Sequence, residues 1–176
     1  MKIAIHIGHP AHVHLFKNLI NIFRKNGDSI LVLVTKKEMN TELLDAYNID
    51  YSIIAYNQST LFKKIGRLLI EDFKAFKLLI KFKPDVLVGR AQPCLAHYSL
   101  LSRRPFIAFS DTENSLTAKY LSFPFANIIV TPDSYKRSIG AKQLTFKGFY
   151  EQSYLDKKYF KPNNNIKEKL KINNNE

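Results

Sequence analysis

Apolar residues fall along the chain in short, β-branched runs separated by longer stretches in which they recur every three or four positions. The runs are Ile3–Ile7, Ile30–Val34, Tyr51–Ala55, Asp85–Val88, Phe106–Phe109 and Asn127–Val130. Several are apolar almost throughout, as strands are when helices cover both faces. Helical periodicity lies between them, near 13–25, 38–47, 60–82, 94–102 and 115–121. Asn26-Gly27 supplies a glycine just past the first helix, where a left-handed residue closes the last turn. Lys83-Pro84-Asp85 ends the long helix, because proline cannot continue one. Strand and helix alternate, which predicts an α/β domain with right-handed crossovers and a Rossmann-like, doubly wound parallel sheet.

Composition adds limits to this picture. The 176 residues suit one domain with a real core. A single cysteine, Cys94, excludes an intramolecular disulfide and fits a reducing compartment. It also speaks against a zinc centre, and no metal is expected. Met1-Lys2 is not followed by an apolar run of signal-peptide length, and no uncharged run approaches the ~20 residues of a membrane span. A cytoplasmic protein is expected. The net charge of +12 favours anionic partners. Nucleic acid is not expected among them, since no zinc-finger, RRM or KH signature is present.

Ligands of open parallel sheets bind beyond the carboxyl ends of the strands, so three loops are the candidate chemistry. The first is Gly8-His9-Pro10-Ala11-His12-Val13-His14. It opens a helix, whose free N–H groups suit a phosphate or sugar oxygen. It lacks the spacing of a dinucleotide fingerprint. His12 is the candidate general base or sugar-hydroxyl ligand, since imidazole accepts a proton near neutrality. His9 either binds ligand or only shapes the turn, and His14 packs beneath the helix. The second loop is Gly89-Arg90-Ala91-Gln92-Pro93. There Gly89 would let a ligand approach the backbone, and Arg90 and Gln92 are candidate ligand contacts. Cys94 follows at a helix start, where the dipole would lower its pKa; a small buried residue is the preferred reading. The third loop is Ser110-Asp111-Thr112-Glu113-Asn114. Asp111 and Glu113 either do acid/base work or bind sugar hydroxyls, or the loop caps the next helix, with Asp111 or Asn114 as the N-cap.

The helix over 61–82 carries Lys63, Arg67, Lys74, Lys77 and Lys81 on one stripe, with Ile70 and Leu78 within or beside it. Leu61, Phe62, Ile65, Leu69, Phe73, Phe76 and Ile80 form a wide apolar face. This is either a core helix with a solvated lysine face or a contact to an anionic membrane surface. From Phe160 the chain turns polar, FKPNNNIKEKLKINNNE, as either a disordered tail or a linker toward a second domain.

The segments IGHPAHVHLFKNLI (7–20), FKPDVLVG (82–89), DTEN (111–114), FANIIVTP (125–132) and KGFYEQSYL (147–155) resemble the DUF354 family, related to GT-B glycosyltransferases and UDP-N-acetylglucosamine 2-epimerases. The resemblance implies the N-terminal, acceptor-side half of a GT-B fold over 1–155, with 156–176 leading toward an absent donor-binding domain. His12 falls on the histidine that ends the Gly-rich turn of lipid-intermediate GlcNAc transferases. Asn114 falls near the end of their acceptor-binding loop. Pro10-Ala11 and Asp111-Thr112-Glu113 depart from that pattern, as do Arg90 and Gln92. His12, Asp111 and Glu113 are thereby implied as catalytic residues, and Gly8, His9, Gly89, Arg90, Gln92 and Asn114 as substrate contacts. The substrate implied is a nucleotide sugar, UDP-linked, with no cofactor. Implied partners are a sugar or lipid-linked acceptor, a donor-binding subunit and the inner face of the membrane, where the protein would sit peripherally. The single chain is expected to be inactive alone. The alternatives are a UDP-sugar 2-epimerase-like protein and a non-catalytic subunit that recruits a partner to the membrane.

Overall fold

The computed structural model describes residues 1–56 and 61–162, with the backbone only at 61–65 and 67. Among these residues seven strands form one sheet in the order β3-β2-β1-β4-β5-β6-β7. They are β1 (Lys2–Ile7), β2 (Ser29–Lys36), β3 (Ser52–Tyr56), β4 (Val86–Gly89), β5 (Phe106–Phe109), β6 (Ile128–Pro132) and β7 (Gln143–Phe146). Every pairing is parallel, and β1 lies between β2 and β4, with Ile5 opposite both Val32 and Val88. The order reverses between β1 and β4, which opens the ligand crevice of a doubly wound sheet there.

Alternation along β1 sorts its side chains. Ile3, Ile5 and Ile7 point to the face covered by α1 (Pro10–Lys25) and α2 (Asn40–Ala46), where they meet Val13, Phe16, Ile20 and Leu44. Ala4 points to the other face, with Ala75 and Leu79 of α3 (Leu61–Phe82) and Leu95 of α4 (Pro93–Ser102). All of these are essentially inaccessible to water, so the sheet is dry on both faces at its centre, as its apolar strands predict.

The helix ends follow local chemistry. α1 starts at Pro10, three residues before the periodic stretch, because proline is preorganised for the first helical position and its missing N–H would go unused there. It closes in a Schellman turn: Gly27 N–H bonds Arg24 O, Asp28 N–H bonds Phe23 O, and Gly27 has φ +80°. The stretch near 115–121 departs from the α-helix predicted there. It is a π turn at Ala118–Ser122 followed by a 3-10 turn at Phe123–Phe125, in which Pro124 has no N–H to continue the ladder. The chain then adds β7 and a one-turn helix, α5 (Gln152–Leu155), beyond the elements expected.

Candidate functional site

The loops after β1, β4 and β5 meet at the crevice between β1 and β4. A cavity of about 330 Å³ is lined there by Gly8, His12, Thr35, Arg90, Gln92 and Ser110, among others. A smaller one of about 170 Å³ is lined by His9, His12, Arg90, Asp111, Tyr150 and Tyr154, among others. His12 and Arg90 line both.

The β1–α1 loop is built from its own side chains. His9 is the N-cap of α1, and its Nδ1 accepts the Ala11 N–H at 3.2 Å. Its Nε2 lies 3.8 Å from Glu38. One turn on, His12 folds back so that its Nδ1 accepts the Gly8 N–H at 3.2 Å. Burial, and next the positive charge of Arg90, hold the His12 pKa down to about 2, so the ring is neutral at physiological pH. With Nδ1 accepting, the neutral ring carries its proton on Nε2. His14 turns away from the crevice and packs on Tyr47 and Tyr154.

The loop after β4 divides into two roles. Gly89 lines neither cavity, and a Cβ there would meet Leu95 Cδ1 at 3.0 Å and His6 Cβ at 3.5 Å. Packing between strand and helix therefore gives this glycine a structural reason. Arg90 is paired with Asp111, and its guanidinium stands over the Tyr150 ring, 4.9 Å from the centroid. Tyr150 is in turn anchored by its hydroxyl, which accepts the Ser110 N–H at 3.0 Å and donates to Val130 O at 2.6 Å. Gln92 donates to Glu71 Oε1 at 2.8 Å. Cys94 is fully buried, and burial pushes its thiol pKa well up. The helix dipole expected to lower that pKa is outweighed.

A buried polar cluster lies under the larger cavity. His6 Nε2 is 3.0 Å from Thr35 Oγ1 and 3.5 Å from Glu71 Oε1, and Thr35 also donates to Glu71. His6, Glu71 and Cys94 bring one donor atom each within 4.8 Å of one another. Thr35 and Gln92 both bond Glu71 Oε1, so the cluster is a hydrogen-bonded support for the cavity floor. Thr35 sits where the β2–β3 register shifts, a local irregularity that re-aims side chains. Sequence reasoning missed Thr35, Glu71, His6 and Tyr150. A signal existed for one of them: Glu71 and Asp72 are the only acids of α3.

The loop after β5 separates the two expected acids. Asp111 faces the crevice, while Glu113 accepts the Lys136 N–H at 2.9 Å and lies 3.9 Å from Arg137. Glu113 lines another cavity of about 450 Å³, with Tyr135, Arg137 and Lys119. Asn114 is exposed and lines none of these three cavities. The capping role weighed for Asp111 and Asn114 belongs to Ser115, whose Oγ accepts the Ala118 N–H at 3.2 Å.

Along α3, Lys74, Lys77 and Lys81 are exposed, while Lys63 and Arg67 lie outside the described side chains. Leu61, Phe62 and Ile65 lie outside them too. Of the apolar face, Leu69 (68%), Phe73 (74%) and Ile80 (62%) are exposed, as is Ile70 (54%). The core is met by Ala75 and Leu79, with Phe76 and Leu78 packed against it. No helix among the described residues is long and apolar enough to cross a membrane.

The family described as "Protein of unknown function (DUF354)" matches residues 1–176. The chain belongs to this family. It is 24% identical over 180 residues to the uncharacterized protein MJ0665 of Methanocaldococcus jannaschii, covering 98% of this chain and 53% of that protein. Its fold is similar to that of the UDP-GlcNAc 2-epimerase of Neisseria meningitidis bound to UDP-GlcNAc (TM-score 0.66, 16% identity, 98% of this chain and 51% of that one). It is also similar to that of MurG from Acinetobacter baumannii (TM-score 0.63, 16% identity, 85% and 46%). The DUF354 chain thus spans about half the length of the proteins it matches, and it has the Rossmann-like α/β fold that GT-B proteins share.

Proposed function

We propose that this DUF354 chain is the acceptor-side domain of a GT-B-like glycosyltransferase that uses a nucleotide sugar, and that a further domain or partner chain binds the donor. The observation that carries the reading is the polar crevice at the β1/β4 reversal, walled by His12 and Arg90. In the transfer, an acceptor oxygen bonds to the anomeric carbon and the bond from that carbon to phosphate breaks. The nucleoside diphosphate leaves with the electron pair, and the acceptor's proton passes to a base. On this reading Gly8, His9, Arg90, Gln92 and Asp111 shape the acceptor side around His12. Incubated alone with UDP-GlcNAc, the 176-residue chain should release no UDP. Release should appear when a donor-binding half is supplied, and turnover by the chain alone would overturn the assignment.

A 2-epimerase-like reaction is the second reading, supported by the fold similarity that spans 98% of this chain. Analysis of the sugar recovered from UDP-GlcNAc separates the two, since only epimerisation changes the configuration at C2 of a sugar still bound to UDP.

The same domain would sit peripherally on the cytoplasmic face of an anionic membrane, with or without catalysis of its own. Leu69, Ile70, Phe73 and Ile80 stand exposed beside Lys74, Lys77 and Lys81, the mixture that inserts apolar groups while cations meet lipid phosphate. Each lysine near such a surface contributes about 1 kcal/mol. Reversing the three charges should abolish co-sedimentation with anionic vesicles. Unchanged sedimentation would remove the membrane reading.

A further inference from the structure

The chemistry at His12 is decided by which nitrogen faces the crevice. Nδ1 is turned back onto the loop, where it accepts the Gly8 N–H. His12 lines both cavities, and no described residue bonds to Nε2, on the opposite edge of its ring. The neighbouring His9 repeats the pattern, with Nδ1 accepting the Ala11 N–H. Two histidines of one turn thus spend the same nitrogen on backbone donors, which fixes both rings in orientation.

The charges around His12 come from four directions. His6 and His9 flank it on β1 and its loop, Lys37 lies beyond β2, and Arg90 faces it from the β4–α4 loop. Asp111 and Glu151 share the smaller cavity with it. Asp111 is already paired with Arg90. The surroundings therefore disfavour an imidazolium. A group that resists protonation and holds its one proton outward does not collect a proton from a substrate hydroxyl.

We infer that His12 is a fixed hydrogen-bond donor, presenting Nε2–H to an oxygen of the bound ligand, and that it is not the base of the reaction. The inference rests on the acceptor-side reading for the identity of that ligand, whereas the state of the ring does not depend on it. The base is then a group other than His12.

The experiment is long-range proton–nitrogen correlation NMR on the full chain with ¹⁵N-labelled histidine, using His12→Gln to assign the ring signals. The expected result is one neutral tautomer, protonated at Nε2, unchanged from pH 8 to pH 5. A proton on Nδ1, or a titration near the ordinary histidine value, would overturn the inference. A second arm compares variants in the assembled enzyme with UDP-GlcNAc as donor. His12→Gln, which keeps an N–H donor and has no basic nitrogen, should stay within about tenfold of the native rate, and His12→Ala should fall at least about tenfold further. Equal losses in both would overturn the donor role. An Nε2–H ring in an assembled enzyme that transfers no sugar would overturn the acceptor-side reading and leave the ring assignment standing.

Discussion

In the loop after β1, side chains bond to backbone two and four residues away, His9 to Ala11 and His12 to Gly8. In the loop after β5, the acids reach 21 to 23 residues along the chain, Asp111 to Arg90 and Glu113 to Lys136. Both loops border the crevice, yet the first carries its own scaffold and the second is held by the rest of the domain. A self-bonded turn keeps its shape when distant contacts change. A loop held at long range takes its shape from whichever partners survive, and here those partners send its two acids to different cavities.

The largest effect should come from removing the anchor of the second loop. Tyr150 is buried, its hydroxyl ties Ser110 to Val130, and its ring touches Phe109 and Phe146. Tyr150→Ala should lower stability by about 3–5 kcal/mol, measured by urea unfolding, while the His12 ring signals stay as they are. A changed His12 tautomer would break the contrast between the loops.

Acid should act next, and through the first loop. Unfolded, His12 binds a proton near the ordinary histidine pKa of 6.5; folded, it does so only near 2. Between these values the unfolded chain holds the extra proton, so the stability His12 contributes is complete above pH 6.5 and drains away as pH falls. The slope is at most about 1.4 kcal/mol per pH unit, reduced by the solvent that reaches the ring. Urea unfolding at pH 7.5 and pH 5 should show a smaller acid loss in His12→Gln than in the native chain.

His9→Ala removes the N-cap of α1 and should lower stability by about 1 kcal/mol, with His9→Asp restoring it; thermal unfolding decides. The smallest effect belongs to Glu113→Gln. Its ion pair with Arg137 is exposed, so less than about 1 kcal/mol is at stake. NMR shifts should move at Lys136 and not at His12, and movement at His12 would mean that the two cavities communicate.

The same contrast governs what could be read from the sequence. Six strands were legible as apolar runs because helices bury both of their faces. β7 was not, since its residues Gln143, Leu144, Thr145 and Phe146 are all partly or fully exposed and leave no apolar signature. The ligand loop at Gly8–His12 was legible because its chemistry is local. The pairing of Arg90 with Asp111, the stacking of Arg90 on Tyr150 and the departure of Glu113 toward Arg137 are long-range contacts that spacing does not encode. Helical periodicity also misassigned part of α3: Leu69, Phe73 and Ile80 belong to an apolar face by spacing, yet they are exposed, and the core is met by Ala75 and Leu79, with Phe76 and Leu78 packed at its edge.

Among the described residues β7 has a neighbour on one side only, β6. Its other side offers a row of backbone donors and acceptors, with Leu144 exposed between them. Such an edge is a template on which a second strand can add, and identical chains are the usual source of one. Here the strand is four residues long, and exposed lysines, Lys142 and Lys147, stand immediately before and after it. Two copies meeting edge to edge would bring these cations together on molecules that already carry +12 each. Keeping copies apart at this edge thus falls to electrostatic repulsion, so the chain should stay dispersed most readily where little salt screens its charge.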